Sequence, residues 1–192
     1  MNKEILQMNK ELDDKLCAEF PKIFKNRNGN MRETCMCWGF EVGDGWYNII
    51  RNACLLIQHH IKGVRDSRAS AIQFNRALKR AIEKNDDKGL IHYFAIRGKV
   101  DQWTMDKVHE AKIQLVYRPV PESCPQVVAE QVKEKFGSLR FYVSGGDSFT
   151  DGVVQMAELM SEVTCEKCGH PGKVGGKGWM SCRCDICRGE TK

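Results

Sequence analysis

Apolar positions in this chain recur mainly at helical spacing, with one short stretch that alternates. Ile5, Leu12, Leu16, Cys17 and Phe20 predict an N-terminal helix that stops before Pro21. Trp46, Ile49, Ile50, Ala53, Cys54, Ile57 and Ile61 predict a second helix, with Asp44 placed to cap its first amides. Ile72, Ala77, Leu78, Ala81 and Ile82 predict a third from Ser67 to Glu83, ended by the polar run from Asn85 to Gly89. Leu90 to Ile96 and Lys112 to Val116 are each short and apolar enough for a buried strand, and Asp101 to Ala111 between them reads as a short helix. After Pro119, Pro121 and Pro125, Val127 to Phe136 fits a helix or a strand. Leu139, Phe141 and Val143 alternate with Arg140 and Tyr142, as in a half-buried strand. Val153, Val154, Ala157, Met160 and Val163 predict a last helix from Thr150 to Val163.

These elements imply an α+β fold: helices packed on a small antiparallel sheet, followed by a C-terminal zinc-ribbon-like module. The expected division is a main domain over residues 1–163 and a zinc-binding module over 164–192. The apolar stripes of the first part can supply a core of their own at ~25 cal/mol per Å² buried, so that part is expected to stay folded without the module.

The module is inferred from its cysteines. Cys165 and Cys168 form one C-x2-C pair, Cys184 and Cys187 a second, and 15 residues separate the pairs. Two such turns can converge four thiolates on one Zn²⁺ at roughly 2.3 Å each. The tail is too polar and glycine-rich to order itself without a crosslink. Cys182 or His170 could replace one of the four. Four protein ligands leave no position for water, so this one zinc is expected to be structural.

Ten cysteines in a chain whose first residues are too polar for a signal peptide point to a reducing compartment, with thiols free or on metal. No apolar run approaches the ~20 residues that a membrane span needs. The formal charge is +5, and four thiolates with one divalent ion lower it by two. Lys62 to Lys84 carries seven basic residues against two acids. Arg76, Lys79 and Arg80 there, with Lys173, Lys177 and Arg183 in the ribbon, are candidate nucleic-acid contacts.

Other candidate chemistry is weaker. Trp38, Asp44, Trp46 and Arg140 could line a ligand pocket, and Glu41, Asp44, Asp147 and Asp151 could gather Mg²⁺ in a hydrolase. Turn formation and helix capping explain the same carboxylates. Cys35 and Cys37 would face one side of an extended strand, and a site there would need Cys54, Cys124, His59 or His60 as partner. There is no P-loop, no G-x-S-x-G, no H-E-x-x-H and no zinc-deaminase pattern.

Three stretches, Cys35 to Trp46, Gln131 to Tyr142 and Cys165 to Gly172, resemble motifs of an uncharacterised family of small zinc-knuckle proteins encoded by tailed bacteriophages. The resemblance spans roughly residues 20–62 and 126–187 and leaves 63–125 as a variable insertion. Relatives of this kind often carry histidine at the place of Cys187, which implies a ligand there. The resemblance also implies a phage gene product in the cytoplasm of the bacterial host, without a mechanism. The shared motifs are aromatic and glycine-rich and the basic segment lies outside them. The first expectation is therefore a non-enzymatic accessory protein that binds a host protein, inhibiting a host factor or defence. A weak, sequence-independent nucleic-acid binder comes second, and a nucleotide-binding sponge or metal-dependent hydrolase third.

Overall fold

The computed structural model describes residues 6–176 and 178–189. It has an α+β architecture, in which the described residues form two compact units, one from Met1–Ile61 with Cys124–Lys192 and one from Lys62–Ser123. The 164–192 segment is part of the first unit. The units thus divide the chain differently from 1–163 plus 164–192.

In the first unit α1 (Lys10–Glu19) begins at Asn9, whose side chain accepts from the Leu12 amide, and ends ahead of Pro21. Ile5 lies outside the described residues. Cys35–Trp38 is a 3-10 turn leading into β1 (Phe40–Glu41). Those thiols are therefore not on an extended strand. A second 3-10 turn, Asp44–Trp46, opens α2 (Tyr47–Lys84). Asp44 makes no cap there. Its carboxylate instead accepts from the Asn9 amide at 2.8 Å and the Asn9 side chain at 2.7 Å, anchoring the start of α1.

The segment that could be helix or strand is β2 (Val128–Lys135), and the alternating one is β3 (Ser138–Ser144). They pair antiparallel through the two-residue turn Phe136 and Gly137, both at positive φ (55° and 82°), the geometry that suits a tight hairpin. β1 adds to the other edge of β2 in parallel, with Phe40 opposite Val132. The sheet is thus mixed, correcting the expected antiparallel one: the chain crosses from β1 to β2 through the helices of the other unit. α5 (Ser148–Ser161) starts at Asp147 in a reciprocal capping box with Thr150. The short hairpin β4 (Lys173–Gly175) and β5 (Ser181–Arg183) and the single turn α6 (Asp185–Arg188) complete the unit. Its core gathers Leu16, Ile23, Phe24, Phe40, Trp46, Ile50, Ile57, Val132, Leu139 and Phe141, with Cys182 of the ribbon among them.

α2 runs through residues 61–67, where two separate helices were expected. Gly63 lowers helix propensity by about 1 kcal/mol but does not break a helix, and Lys62 and Asp66 pair across one turn at 3.3 Å. In the second unit Phe74, Ala77, Leu78 and Ala81 of α2 pack with Leu90, Val108 and Ala111 from α3 (Lys88–Phe94) and α4 (Gln102–Gln114). Ile82, expected inside, is 45% exposed. Neither short apolar segment here is a strand: Leu90 to Phe94 is helical, and 112–114 closes α4 before Leu115 turns left-handed at φ 53°. Phe74, Tyr93 and Phe94 meet edge to face, and Arg118 stacks over the Phe74 ring at 4.2 Å.

Candidate metal centre

The first knuckle is a tight turn. The Gly169 amide donates to the Cys165 carbonyl at 2.8 Å, and the Cys165 amide to the His170 carbonyl at 2.7 Å. In the second, Cys184 caps α6 and its sulfur accepts from the Cys187 amide at 3.4 Å. The sulfurs of Cys165, Cys168, Cys184 and Cys187 all lie within 4.8 Å of one another. Cys168 stands 3.6 Å from Cys184 and 3.5 Å from Cys187. A tetrahedron with arms of roughly 2.3 Å has edges of about 3.8 Å, so these four atoms could hold one metal ion with only small adjustment. Burial pushes the Cys165 thiol up, but the amides of Cys184, Cys168 and Lys167 and the Cys168 side chain outweigh it and bring it down to about 6. Its thiolate is prepared for a cation.

The alternative donors point elsewhere. Cys182 is buried, donates to the Glu162 carbonyl at 3.3 Å, and is pushed up to about 11 by burial. β5 alternates, so Cys182 faces the core while Cys184 lies beyond the strand's end. His170 contributes its carbonyl to the knuckle and its ring is not among the clustered donors.

The centre is bolted to the core by the stretch around Trp46. The Gly45 amide donates to the Glu166 carbonyl at 2.8 Å, the Gly43 amide to the Glu166 carboxylate at 3.1 Å, and the Trp46 indole to the Thr164 carbonyl at 2.8 Å. A side chain at Gly45 would meet the Cys165 carbonyl at 2.2 Å and the Gly169 nitrogen at 2.4 Å. Only glycine lets the two backbones lie this close. Glu166 is buried, and its other carboxylate oxygen binds Arg183 at 2.7 Å. Burial holds its carboxyl above the ordinary range, against the pull of Arg183.

The other candidate residues take the following places. Arg183 pairs with Glu166 at 2.7 Å. Lys173 lends its carbonyl to Arg188 at 2.7 Å, and Lys177 lies outside the described residues. Arg76, Lys79 and Arg80 are exposed on α2 of the second unit, around a depression of ≈ 750 Å³ that also includes Ile72 and His92, and Lys79 stands 3.7 Å from Glu83. Trp38, Asp44, Trp46 and Arg140 make separate contacts. Trp46 is fully buried, Asp44 holds Asn9, and Arg140 donates to Ser138 and to the Leu139 carbonyl, while Trp38 is half exposed. Of the carboxylates, Glu41 takes the Gln131 side chain at 3.0 Å and Asp147 caps α5.

Two features were missed by reading residues singly. One is the buried Glu166–Arg183 pair, which no sequence signal announces. The other is an apolar groove of ≈ 490 Å³ between the first turns of α2 and the length of α5. Ile49, Leu56, Phe149, Val153, Met156 and Met160 line it, and Leu56, Phe149, Met156 and Met160 are each about half exposed. Its signal was the second apolar stripe on α5, where Met156 and Met160 are one turn apart.

No protein-family model, curated protein or solved structure matches this chain. Among the described residues no helix is long and apolar enough to cross a membrane.

Proposed function

We propose that this protein is a non-enzymatic binding module, shaped by one structural Zn²⁺ on Cys165, Cys168, Cys184 and Cys187, that seats an amphipathic helix of another protein. The observation that carries this reading is the half-exposed apolar groove between α2 and α5. Its walls include two methionines, whose unbranched, polarizable side chains adapt to an apolar helix face. The four-thiolate set favours zinc and leaves no position for substrate, and the residues around Trp46 are spent on scaffold contacts.

The three stretches that resemble phage zinc-knuckle proteins support the same reading. β1 of the first pairs with β2 of the second, and Gly45 of the first packs on the knuckle of the third. The shared residues thus serve a common frame, and the groove lies on it. On this resemblance the source is a tailed phage and the partner a protein of the bacterial host.

The test is photo-crosslinking from position 156 in the full-length protein in infected cells, with nuclease added. The reading expects one helical host protein to be trapped, an amphipathic segment of it to bind the purified protein, and Met156→Asp with Met160→Asp to abolish both. Capture that vanishes with nuclease, or that ignores the two substitutions, overturns it.

A further inference from the structure

The first unit holds a second set of metal-ligating side chains, remote in sequence from the knuckles. His60 from α2, Cys124 from the segment before β2, and Asp147 at the start of α5 place their donor atoms within 4.8 Å of one another. We propose that these three residues form an open divalent transition-metal site, suited to Zn²⁺ or Co²⁺, whose fourth position is filled from outside the protein. This goes beyond the structural zinc and the binding groove and does not depend on either.

The geometry fits a site and not only a helix cap. One Asp147 oxygen, Oδ1, accepts from the Phe149 and Thr150 amides at 3.1 and 3.2 Å and so completes the cap by itself. Oδ2 is left over, and it meets His60 Nε2 at 2.7 Å. Capping needs neither the imidazole nor the thiol, yet the Cys124 sulfur also lies within 4.8 Å of the carboxylate and imidazole donors. The orientation of two of the donors is set by their surroundings. His60 stacks on Phe149 with ring centroids 4.3 Å apart, and Asp147 is held by two amides.

Imidazole, thiolate and carboxylate together make a borderline donor set, which zinc accepts readily and Mg²⁺ or Ca²⁺ do not. A tetrahedral ion with arms of roughly 2.0–2.1 Å needs its N and O ligands about 3.3 Å apart. His60 and Asp147 must therefore open by ~0.6 Å from hydrogen-bond contact, a side-chain movement, as the ion takes the place of the shared proton, which passes to solvent and leaves the neutral ring protonated at Nδ1. The Cys124 thiol gives up its proton to solvent in the same step. All three residues are half-buried, so the ion is shielded on the protein side and accessible on the other. Phe149, which backs His60, also lines the apolar groove, so a donor carried by a bound partner could supply the fourth ligand.

The test counts metal in the full-length protein after dialysis against buffered Zn²⁺ at low micromolar free ion. The expected content is two ions per chain in the wild type and one in each of Cys124→Ser, His60→Gln and Cys168→Ser. With Co²⁺, the wild type should show thiolate charge-transfer absorption from both ions, and Cys124→Ser should lose only the weaker, one-thiolate component. If the four-cysteine reading alone is wrong, an ion remains that Cys168→Ser keeps and Cys124→Ser loses, and the proposal stands. A wild type that binds one ion, insensitive to Cys124→Ser and His60→Gln, overturns it, as does a Cys124→Ser variant that still binds two.

Discussion

Replacing Gly45 with alanine tests how tightly the metal centre is joined to the core. The added Cβ would sit 2.2 Å from the Cys165 carbonyl oxygen and 2.4 Å from the Gly169 nitrogen, where real Cβ atoms stay beyond 3.0 Å. Both obstacles are backbone, so no side-chain rotation relieves them. The strands of chain must part by at least about 0.8 Å, which stretches the 2.8 Å Gly45–Glu166 bond to ~3.6 Å and breaks it. Overpacking of this kind costs about 1–3 kcal/mol and the lost bond about 1, for a total of about 2–4 kcal/mol. The knuckle moves with Cys165, so metal affinity should also fall by about 10–100-fold, the usual effect of disturbing groups that position metal ligands. Denaturant-dependent hydrogen exchange of the β2 and β3 amides reports on the first unit alone, and a chelator competition reads the metal. Gly63→Ala is the control. That position lies within the part of α2 that belongs to the second unit, with nothing inside 4 Å of an added Cβ, so alanine there should leave the β2 and β3 exchange and the metal affinity unchanged. A Gly45→Ala protein within about 0.5 kcal/mol of wild type, with unchanged metal affinity, would refute the reasoning.

Cys182→Ser should keep the full metal content while losing about 1 kcal/mol for a hydroxyl placed in the core, whereas Cys168→Ser should lose the knuckle ion; metal analysis beside urea melts separates them. Glu166→Ala should destabilise the first unit by about 3–5 kcal/mol, because it strands the mostly buried Arg183 and frees the Gly43 amide, and the double change with Arg183→Met should recover part of the loss in a mutant cycle. Chelation should loosen the first unit, seen as loss of near-UV signal from the buried Trp46, while amides around Leu78 and Leu90 keep their protection. Neutralising Arg76, Lys79 and Arg80 together should flatten the salt dependence of any nucleic-acid binding by roughly 0.9 in log–log slope per lost contact and leave stability intact, since all three are exposed.

Much of the helical frame was legible because its signal is local. The 3.6-residue stripe from Trp46 to Ile61 and the cap at Asp147 depend on neighbours within a turn. The knuckle cysteines were legible for a similar reason: their spacing is itself the chelate geometry. What failed depends on distant partners. Asp44 is suitably placed to cap α2 but binds Asn9, 35 residues away, because the start of α1 lies beside it. The parallel pairing of β1 with β2 joins Phe40 to Val132, and two-residue β1 has too short a pattern to announce itself. Ile82 follows the helical period yet is exposed, because α3 and α4 cover a narrower face, centred on Leu78. His60, Cys124 and Asp147 had each been weighed with other partners, and only the folded chain brings them together. The glycines on either side of Asp44 open α2 as a turn would, but what demands them is the distant backbone of Cys165 and Glu166, packed where a Cβ would stand.

Zinc K-edge absorption on the full-length Cys124→Ser protein, in which only the knuckle ion should remain, tests the metal centre most directly. The account predicts one zinc per chain with four sulfur neighbours at roughly 2.3 Å and no nitrogen or oxygen shell. A protein purified without chelator that holds well below one zinc, or a zinc shell containing nitrogen or oxygen, would contradict it.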